Sequence, residues 1–219
     1  MDLVTYALPK GRLMNGTLRL LRSAGVPCPQ EDGRRLLLEI PEKGLRFLFS
    51  RPSDVPVYVQ YGAADLGICG KDTLIEMGPK VYEVLDLGFG AGRFVLATVS
   101  EWVDQGFDWT RPGLRVATKF PRIASLFLES QGASHHIIKV HGAAELAPRV
   151  GLAEMVFDIT ATGKTLAENG LRVVANAGTT TARLVANPAS YKVKARELGD
   201  VIARVKGFIQ SEGHTLAGL

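Results

Sequence analysis

Short runs of apolar residues alternate with amphipathic stretches along the chain. Runs rich in Val, Ile and Leu predict β-strands, and stretches with a helical repeat of apolar positions predict helices. The predicted strands are 3–8, 36–40, 45–49, 65–69, 94–99, 115–118, 137–140, 155–159, 172–175 and 182–186. The predicted helices are 16–23, 55–61, 73–77, 122–130, 143–150, 165–168 and 195–211. This alternation predicts an α/β fold with a mostly parallel sheet and helices on both faces.

Two segments interrupt the alternation, a glycine-rich stretch at 88–92 and the residues around 178–180. If the chain crosses between lobes there, residues 91–177 form a second lobe. Residues 1–90 and 178–219 then build the first lobe together. Two Rossmann-like lobes of this kind would hold a ligand in a cleft at the carboxyl ends of their strands. The pattern alone is equally compatible with one continuous sheet.

The composition narrows the function classes. Hydrophobic residues make up 46% of the 219 residues and charged residues 22%, which is ordinary for a globular protein. The formal net charge is +4, but the basic residues are scattered, which argues against nucleic-acid binding. The first residues carry no signal-peptide pattern, and no apolar run approaches the length of a membrane span. We therefore expect a cytoplasmic protein without a membrane or nucleic-acid partner.

Cysteine and histidine give no sign of a metal site. The two cysteines, Cys28 and Cys69, stand in no CxxC motif, and the four histidines lack a spacing such as HExxH. Because the expected cytoplasmic location makes a structural disulfide improbable, both thiols are expected to be reduced and unbonded.

The segment from Asp158 to Thr165 has the clearest chemical pattern. A buried strand runs into a loop of threonines and glycine, and a helix follows. Backbone N–H groups at such a helix start have no intrahelical partner, and Gly163 lets a phosphate approach closely. Asp158 is placed to bind a sugar hydroxyl. The competing interpretation is an ordinary helix with a threonine N-cap, and the loop alone favours neither.

The residues around this loop resemble those of a known family. Glu145 is followed after five residues by Gly151, and then by Ala153, Asp158 and the segment 162–166 in the spacing of the ATP phosphoribosyltransferases. Further segments are also similar to that family. They are 9–12 with its KGR element, 51–56, 62–72, 85–88 and 115–119.

This resemblance implies a fold and a set of site residues. The family fold is two α/β lobes like those of type II periplasmic binding proteins. The implied contacts to phosphoribosyl pyrophosphate are Glu145, Asp158, Thr160, Ala161, Thr162, Gly163, Lys164 and Thr165. The implied contacts to ATP are Lys10, Gly11, Arg12, Arg51, Asp65, Gly70 and Asp72. The implied catalytic residues are Lys10, Arg12 and Arg34, although Arg35 stands next to Arg34 and either could face the substrates.

The resemblance also implies a reaction and its partners. Adenine N1 of ATP attacks C1′ of phosphoribosyl pyrophosphate, and magnesium travels with the pyrophosphate without a protein metal cage. With few residues after the last predicted helix, the chain resembles the family's short form, whose regulatory subunit is similar to histidyl-tRNA synthetase. We accordingly expect a homodimer that joins this partner in a hetero-octamer. The alternatives are a phospho-ligand-binding protein without catalysis and a ligand-responsive regulator.

Overall fold

The computed structural model describes residues 3–29 and 35–211. Its strands are β1 Val4–Pro9, β2 Leu37–Ile40, β3 Leu45–Ser50, β4 Leu66–Gly70, β5 Tyr82–Asp86, β6 Gly92–Val99, β7 Arg115–Thr118, β8 His136–Lys139, β9 Met155–Thr160, β10 Leu171–Thr180 and β11 Ala182–Ala186. Its α-helices are α1 Met14–Ser23, α2 Val55–Gln60, α3 Lys71–Met77, α4 Ser100–Asp104, α5 Pro121–Ser130, α6 Lys164–Glu168, α7 Pro188–Val193 and α8 Ala195–Ser211. Short 3₁₀ turns occur at Gly11–Leu13, Pro41–Lys43 and Ala144–Leu146.

The chain divides into two compact units. The first unit combines the described residues up to Ala91 with those from Thr181 onward, and the second comprises Gly92–Thr180. Each unit has its own sheet. The strand order is β2-β3-β1-β4-β11-β5 in the first unit and β10-β6-β9-β7-β8 in the second.

The core of the first unit lies between its sheet and the two longest helices. Tyr6 and Leu8 of β1 belong to the same buried cluster as Leu198 and Val205 of α8. Tyr6 also stacks on Phe47 of β3, with ring centroids 5.3 Å apart. Each fully buried side chain of this size stabilises the fold by about 1.5–3 kcal/mol. The apolar stripe predicted for 195–211 thus packs the last helix into the core of the first unit.

The α/β prediction is confirmed, but the mostly parallel sheet is wrong. Among the described strands, four pairings are parallel and five are antiparallel. The parallel pairings join β1 to β3 and β4, and β7 to β8 and β9. Each unit therefore contains one group of three parallel neighbours, and antiparallel strands extend it.

Several predicted elements need correction. Strand β5 and helices α4 and α7 were not predicted, and β10 runs on to Thr180. The helix predicted at 143–150 is only the 3₁₀ turn Ala144–Leu146. Ala143 before it has a positive φ of 48°, and Gly151 after it has a φ of 71°. A helix cannot continue through left-handed residues, so this segment folds as successive turns.

Candidate active site

Three parallel strands of the first unit end at one edge of its sheet. The register pairs Pro9 of β1 with Ser50 of β3, and β4 runs parallel to β1 on its other side. Lys10 follows β1 directly, Arg51 follows β3, and Lys71 follows β4. The backbone N–H of Lys10 donates to the Ser50 carbonyl at 2.7 Å, which continues the ladder. The structure therefore brings together the predicted residues of the segments 10–12, 51 and 70–72.

The turn after β1 presents Arg12 from a fixed backbone. Gly11 has a φ of +79°, which favours glycine, and a Cβ there would meet nothing within 4 Å. The Nη1 of Arg12 donates to the carbonyl of Gly90 at 3.0 Å and to that of Ala91 at 3.4 Å. The side chain is otherwise exposed. One side of the guanidinium is thus anchored, while its remaining donors can bind an anion.

The side chain of Asp72 lies close over Gly70. A Cβ on Gly70 would meet Oδ1 of Asp72, so the carboxylate would have to move to admit a larger residue. The neighbouring Cys69 is fully buried. Burial raises the pKa of its thiol to about 12, with smaller contributions from Asp72 and Glu83. Cys69 and Cys28 are both free thiols, and Cys69 is a packing residue.

Asp65 does not join this group. It stands just before β4, opposite Thr5 at the amino end of β1, so a whole strand separates it from Gly70. Its side chain is buried. One carboxylate oxygen accepts from the Thr5 backbone N–H at 2.8 Å and from Lys194 Nζ at 2.9 Å. The carboxylate of Asp65 thus links the first strand to the segment before the last helix, and its assignment to ATP binding stays a prediction.

In the second unit, β7, β8 and β9 are parallel and their carboxyl ends share one edge. The loop that follows β9 there is held by its own hydroxyl groups. Thr160 Oγ accepts from the Gly163 N–H at 2.6 Å, and Thr162 Oγ accepts from the Lys164 N–H at 3.3 Å. Gly163 has a φ of +79° and open space beside it. Because both hydroxyl oxygens act as acceptors, their hydrogens can still donate to a phosphate.

Asp158 lies on β9, two residues before Thr160, where this loop begins. Its side chain is largely buried. Oδ1 accepts from the Ile159 N–H at 2.7 Å and forms an ion pair with Lys119 Nζ at 3.2 Å. Burial raises the pKa of Asp158, Lys119 and the Ile159 amide oppose that rise, and the charge of Glu145 adds to it. Oδ2 has no hydrogen bond within the described parts of the chain. The site thus contains a buried carboxylate with one oxygen available as an acceptor.

The remaining predicted residues of the second unit differ in exposure. Ala161 and Lys164 belong to the exposed part of the loop, and Lys164 pairs with Glu168 at 3.7 Å on the surface. The Thr165 carbonyl accepts from the Asn169 side chain at 2.8 Å. Glu145 lies on the 3₁₀ turn and is half-buried. All of them follow β8 or β9, so the structure places them at the same carboxyl edge.

Gly151 and Ala153, which belong to the family spacing, lie elsewhere. Gly151 takes a left-handed turn before β9, and its carbonyl accepts from Arg115 Nη2 at 3.2 Å. Ala153 is buried in a small apolar cluster. These two positions form the structural part of the pattern, whereas Glu145, Asp158 and the loop form its chemical part.

Two further points concern the predicted set. Lys119 was not predicted as a site residue, although a basic residue after β7 lies beside the end of β9 in a parallel pair. The sequence shows a basic residue directly after β7, but its place beside Asp158 follows only once β7 and β9 are known to pair. Arg34, one of the predicted catalytic residues, lies outside the described residues.

In residues 3–29 and 35–211, no helix is long and apolar enough to cross a membrane.

Comparison with known proteins gives a consistent result. A model of the family HisG, ATP phosphoribosyltransferase, matches residues 51–207. An ATP phosphoribosyltransferase of Moorella thermoacetica is 47% identical over 222 residues, covering 99% of this chain and 97% of the relative. The corresponding protein of Bacillus subtilis is 40% identical over 212 residues, covering 96% and 97%.

Solved structures agree with the sequence matches. A chain of the ATP phosphoribosyl transferase (HisG:HisZ) complex from Thermotoga maritima matches with a TM-score of 0.80 and 32% identity. The match covers 95% of this chain and all of that one. A periplasmic sulfonate-binding protein, SsuA, from Methylobacillus flagellatus matches with a TM-score of 0.65 at 13% identity, covering 100% of this chain and 71% of that one. The second likeness concerns the fold alone.

Proposed function

Because the chain belongs to the ATP phosphoribosyltransferase family, we propose that the carboxyl-edge residues of its two units carry that family's reaction. The enzyme joins ATP to phosphoribosyl pyrophosphate and releases pyrophosphate, in the first step of histidine biosynthesis. The family match favours this function over a phospho-ligand-binding protein without catalysis. What remains to be assigned is the role of each residue.

We assign the 5′-phosphate of phosphoribosyl pyrophosphate to the loop Thr160–Thr165. The observation that carries this proposal is the loop's geometry. Gly163 turns the backbone through a left-handed conformation, and two threonine hydroxyls hold loop amides while keeping hydrogens to donate. Such a ring of short donors suits a phosphate. Asp158 would accept from the ribose hydroxyls through Oδ2, and Glu145, whose charge acts on Asp158, would share that task.

The basic side chains proposed to bind the phosphates of ATP and the leaving pyrophosphate belong to the first unit. Lys10, Arg12 and Arg51 end up at one sheet edge because β1 and β3 are parallel neighbours. We propose that Arg12 and Lys10 stabilise the leaving pyrophosphate, and that Arg51 binds the phosphates of ATP together with the turns at Gly11 and Gly70–Asp72. Guanidinium groups suit this task because they bind phosphate oxygens in pairs and remain charged at any working pH. Arg34 stays a prediction in the same role.

The chemistry requires orientation and charge. Adenine N1 is unprotonated at neutral pH, so the attack on C1′ needs no strong general base. The protein's contribution is to align the two substrates and to hold donors where negative charge develops on the leaving group. Magnesium, carried by the substrate, would neutralise part of that charge and needs few protein ligands. The absence of a protein metal cage stays a prediction.

The partner and the location of the enzyme are also proposals. The similar chain from Thermotoga maritima belongs to a HisG:HisZ complex. We propose that this chain likewise joins a regulatory subunit similar to histidyl-tRNA synthetase, as a homodimer that enters a hetero-octamer in the cytoplasm. Light scattering of the chain alone and of the mixture would measure both states. A chain that stays unchanged in mass beside its partner at micromolar concentration would contradict the proposal.

The phosphate loop can be tested by a matched pair of glycine variants. Gly163 and Gly132 both have a positive φ, +79° and +69°, and a Cβ on either would meet nothing within 4 Å. Alanine at each position should therefore cost a similar backbone strain, about 1–2 kcal/mol. Gly163→Ala should also distort the loop and raise the KM for phosphoribosyl pyrophosphate roughly tenfold or more. Gly132→Ala should leave that KM unchanged.

Steady-state kinetics and thermal unfolding of both variants provide the measurement. Equal losses of Tm with a KM change confined to Gly163→Ala support the loop as the phosphate site. A Gly163→Ala enzyme with a normal KM for phosphoribosyl pyrophosphate would remove the loop from substrate binding.

A further inference from the structure

Lys119 connects two strands of the second unit at the edge where the substrate loop begins. It follows β7 directly, and the register pairs Thr118 of β7 with Phe157 of β9. The next residue along each strand is therefore Lys119 on one side and Asp158 on the other. Their charged groups meet, with Lys119 Nζ 3.2 Å from Asp158 Oδ1. The pair is a product of parallel strand pairing.

The two members of the pair have unequal surroundings. The side chain of Asp158 is 12% exposed, whereas that of Lys119 is 45% exposed. The ammonium also lies 5.0 Å from the centroid of the Phe120 ring, a cation–π contact that limits its movement. The Phe120 backbone N–H donates to the Thr118 hydroxyl at 2.8 Å, which fixes the turn. Lys119 is thus held beside Asp158, with its side chain partly exposed to solvent.

We propose that Lys119 is a positioning residue that keeps Asp158 ionised and directs its Oδ2 toward the substrate. This inference rests on the proposed function, in which Oδ2 accepts from the ribose hydroxyls. A protonated Asp158 would present an O–H donor where an acceptor is needed. Lys119 and the Ile159 amide both bind Oδ1. Among the described residues, they leave Oδ2 without a hydrogen-bond partner.

The charged groups around Asp158 come from several structural elements. Lys119 extends from the end of β7 and Glu145 from the 3₁₀ turn, and the two act in opposite directions on its pKa. On β6, Val95 lies opposite Asp158, and Arg93 lies opposite Thr160 on the same face. On α6, Lys164 is paired with Glu168. Lys119 is the cation in direct contact with the carboxylate, so its removal should leave burial and Glu145 to favour the protonated form.

The test compares pH profiles of kcat/KM for phosphoribosyl pyrophosphate in the wild type, Lys119→Met, Lys119→Arg and Asp158→Asn. Substrate ionisations are common to all four proteins and cancel in the ratios. In Lys119→Met, the acid limb should move to higher pH by about one unit, the lower end of the range for an opposite charge at this distance. Lys119→Arg keeps the cation and should restore the limb. Asp158→Asn should lack it.

A second measurement reports on the carboxylate without catalysis. The ¹³C chemical shift of the Asp158 carboxyl, followed against pH in the substrate-free enzyme, gives its pKa directly. The pKa should be higher in Lys119→Met than in the wild type and close to the wild-type value in Lys119→Arg. An unchanged pKa in Lys119→Met overturns the inference. So does a loss of activity in Lys119→Met that is equal at every pH, which would make Lys119 a direct substrate ligand.

The outcomes separate this inference from the proposed function. If Asp158→Asn keeps the wild-type kcat/KM, Asp158 is not a substrate ligand and the proposed function fails at that residue, whatever Lys119 does. If Asp158→Asn is impaired while the pH profile of Lys119→Met stays in place, the proposed function stands and the role of Lys119 fails.

Discussion

The two ends of strand β9 treat a carboxylate in opposite ways. Glu154 lies just before the strand. Its carboxylate accepts hydrogen bonds from the backbone N–H of Arg115 at 2.6 Å and from Arg115 Nη2 at 2.6 Å, and these bonds lower the pKa of Glu154. Asp158, four residues later, is more deeply buried and has a raised pKa, and within residues 3–29 and 35–211 its carboxylate contacts Lys119 and the Ile159 amide. At the amino end of β9, both carboxylate oxygens of Glu154 accept hydrogen bonds from Arg115, which stabilises the ionised form. At the carboxyl end, Oδ2 of Asp158 has no hydrogen bond to any described residue, so it can accept one from a ligand.

The first unit repeats this contrast along β4. Asp65 before the strand is buried against Lys194 and the Thr5 amide. Asp72 after the strand folds over Gly70 at the edge where Lys10 and Arg51 also lie. In both units, the carboxylates at amino ends tie elements together, and polar groups at carboxyl ends are placed for ligands. This agrees with the general position of binding sites in α/β sheets.

Arg12→Ala should produce the larger of two effects that test this contrast. Loss of one charge-assisted hydrogen bond to the leaving pyrophosphate costs about 1.5–3 kcal/mol, a roughly 10- to 150-fold loss of rate. Because the interaction strengthens as the bond breaks, kcat should fall more than either KM rises. Steady-state kinetics with each substrate varied provide the measurement.

Arg19→Ala is the matched control for Arg12→Ala. Arg19 is an exposed arginine on α1, close in sequence and equal in charge. It should have wild-type kcat and KM values. An Arg12→Ala enzyme with normal kcat and a raised KM would assign Arg12 to substrate binding before the reaction. Equal losses in both variants would point to net charge instead of position.

Glu154→Gln should produce the smaller effect, on stability and not on activity. The folded-state pKa of Glu154 is lowered, so its contribution to stability is present above the unfolded value, about 4.3, and is lost as the pH falls through the folded value. At neutral pH the variant should unfold about 2–4 °C below the wild type, the shift expected from roughly 1 kcal/mol in a chain of this size.

Thermal unfolding at several pH values gives this measurement. The difference in Tm should narrow as the pH falls from about 4.3 through the lowered folded-state pKa, since the unfolded chain binds the proton first and the folded carboxylate becomes neutral only at lower pH. A difference that stays constant down to low pH would mean that the charge of Glu154 is not its cause. A reduced kcat at neutral pH would break the contrast between the two ends of β9.

The sequence predicted the parts that depend on local pattern. Strands such as β7 and β11 were placed residue for residue, because their apolar runs are bounded by turn residues. The loop after β9 was recognised from its threonines and glycine. Strand direction was mispredicted because an apolar run is compatible with either a parallel or an antiparallel neighbour. The helix at 143–150 was mispredicted because nothing in the pattern marks Ala143 as left-handed.

The site residues divide in the same way. Arg12 and Asp158 could be named in advance because each belongs to a recognisable local motif. Asp65 stands only five residues before Gly70, but the extended strand between them carries it to the other edge of the sheet. Lys119 was missed for the complementary reason, since 39 positions along the chain separate it from its partner Asp158, and only strand pairing joins them.

The interrupted course of the first unit has a consequence for synthesis on the ribosome. Strand β11 lies between β4 and β5 in the finished sheet, yet it is translated after the entire second unit. The nascent chain must therefore hold β5 apart from β4, or pair them provisionally, until residue 186 has left the exit tunnel. The second unit is encoded without interruption from Gly92 to Thr180, so it can complete its own sheet first. Translation thus finishes the inserted unit before the unit that surrounds it.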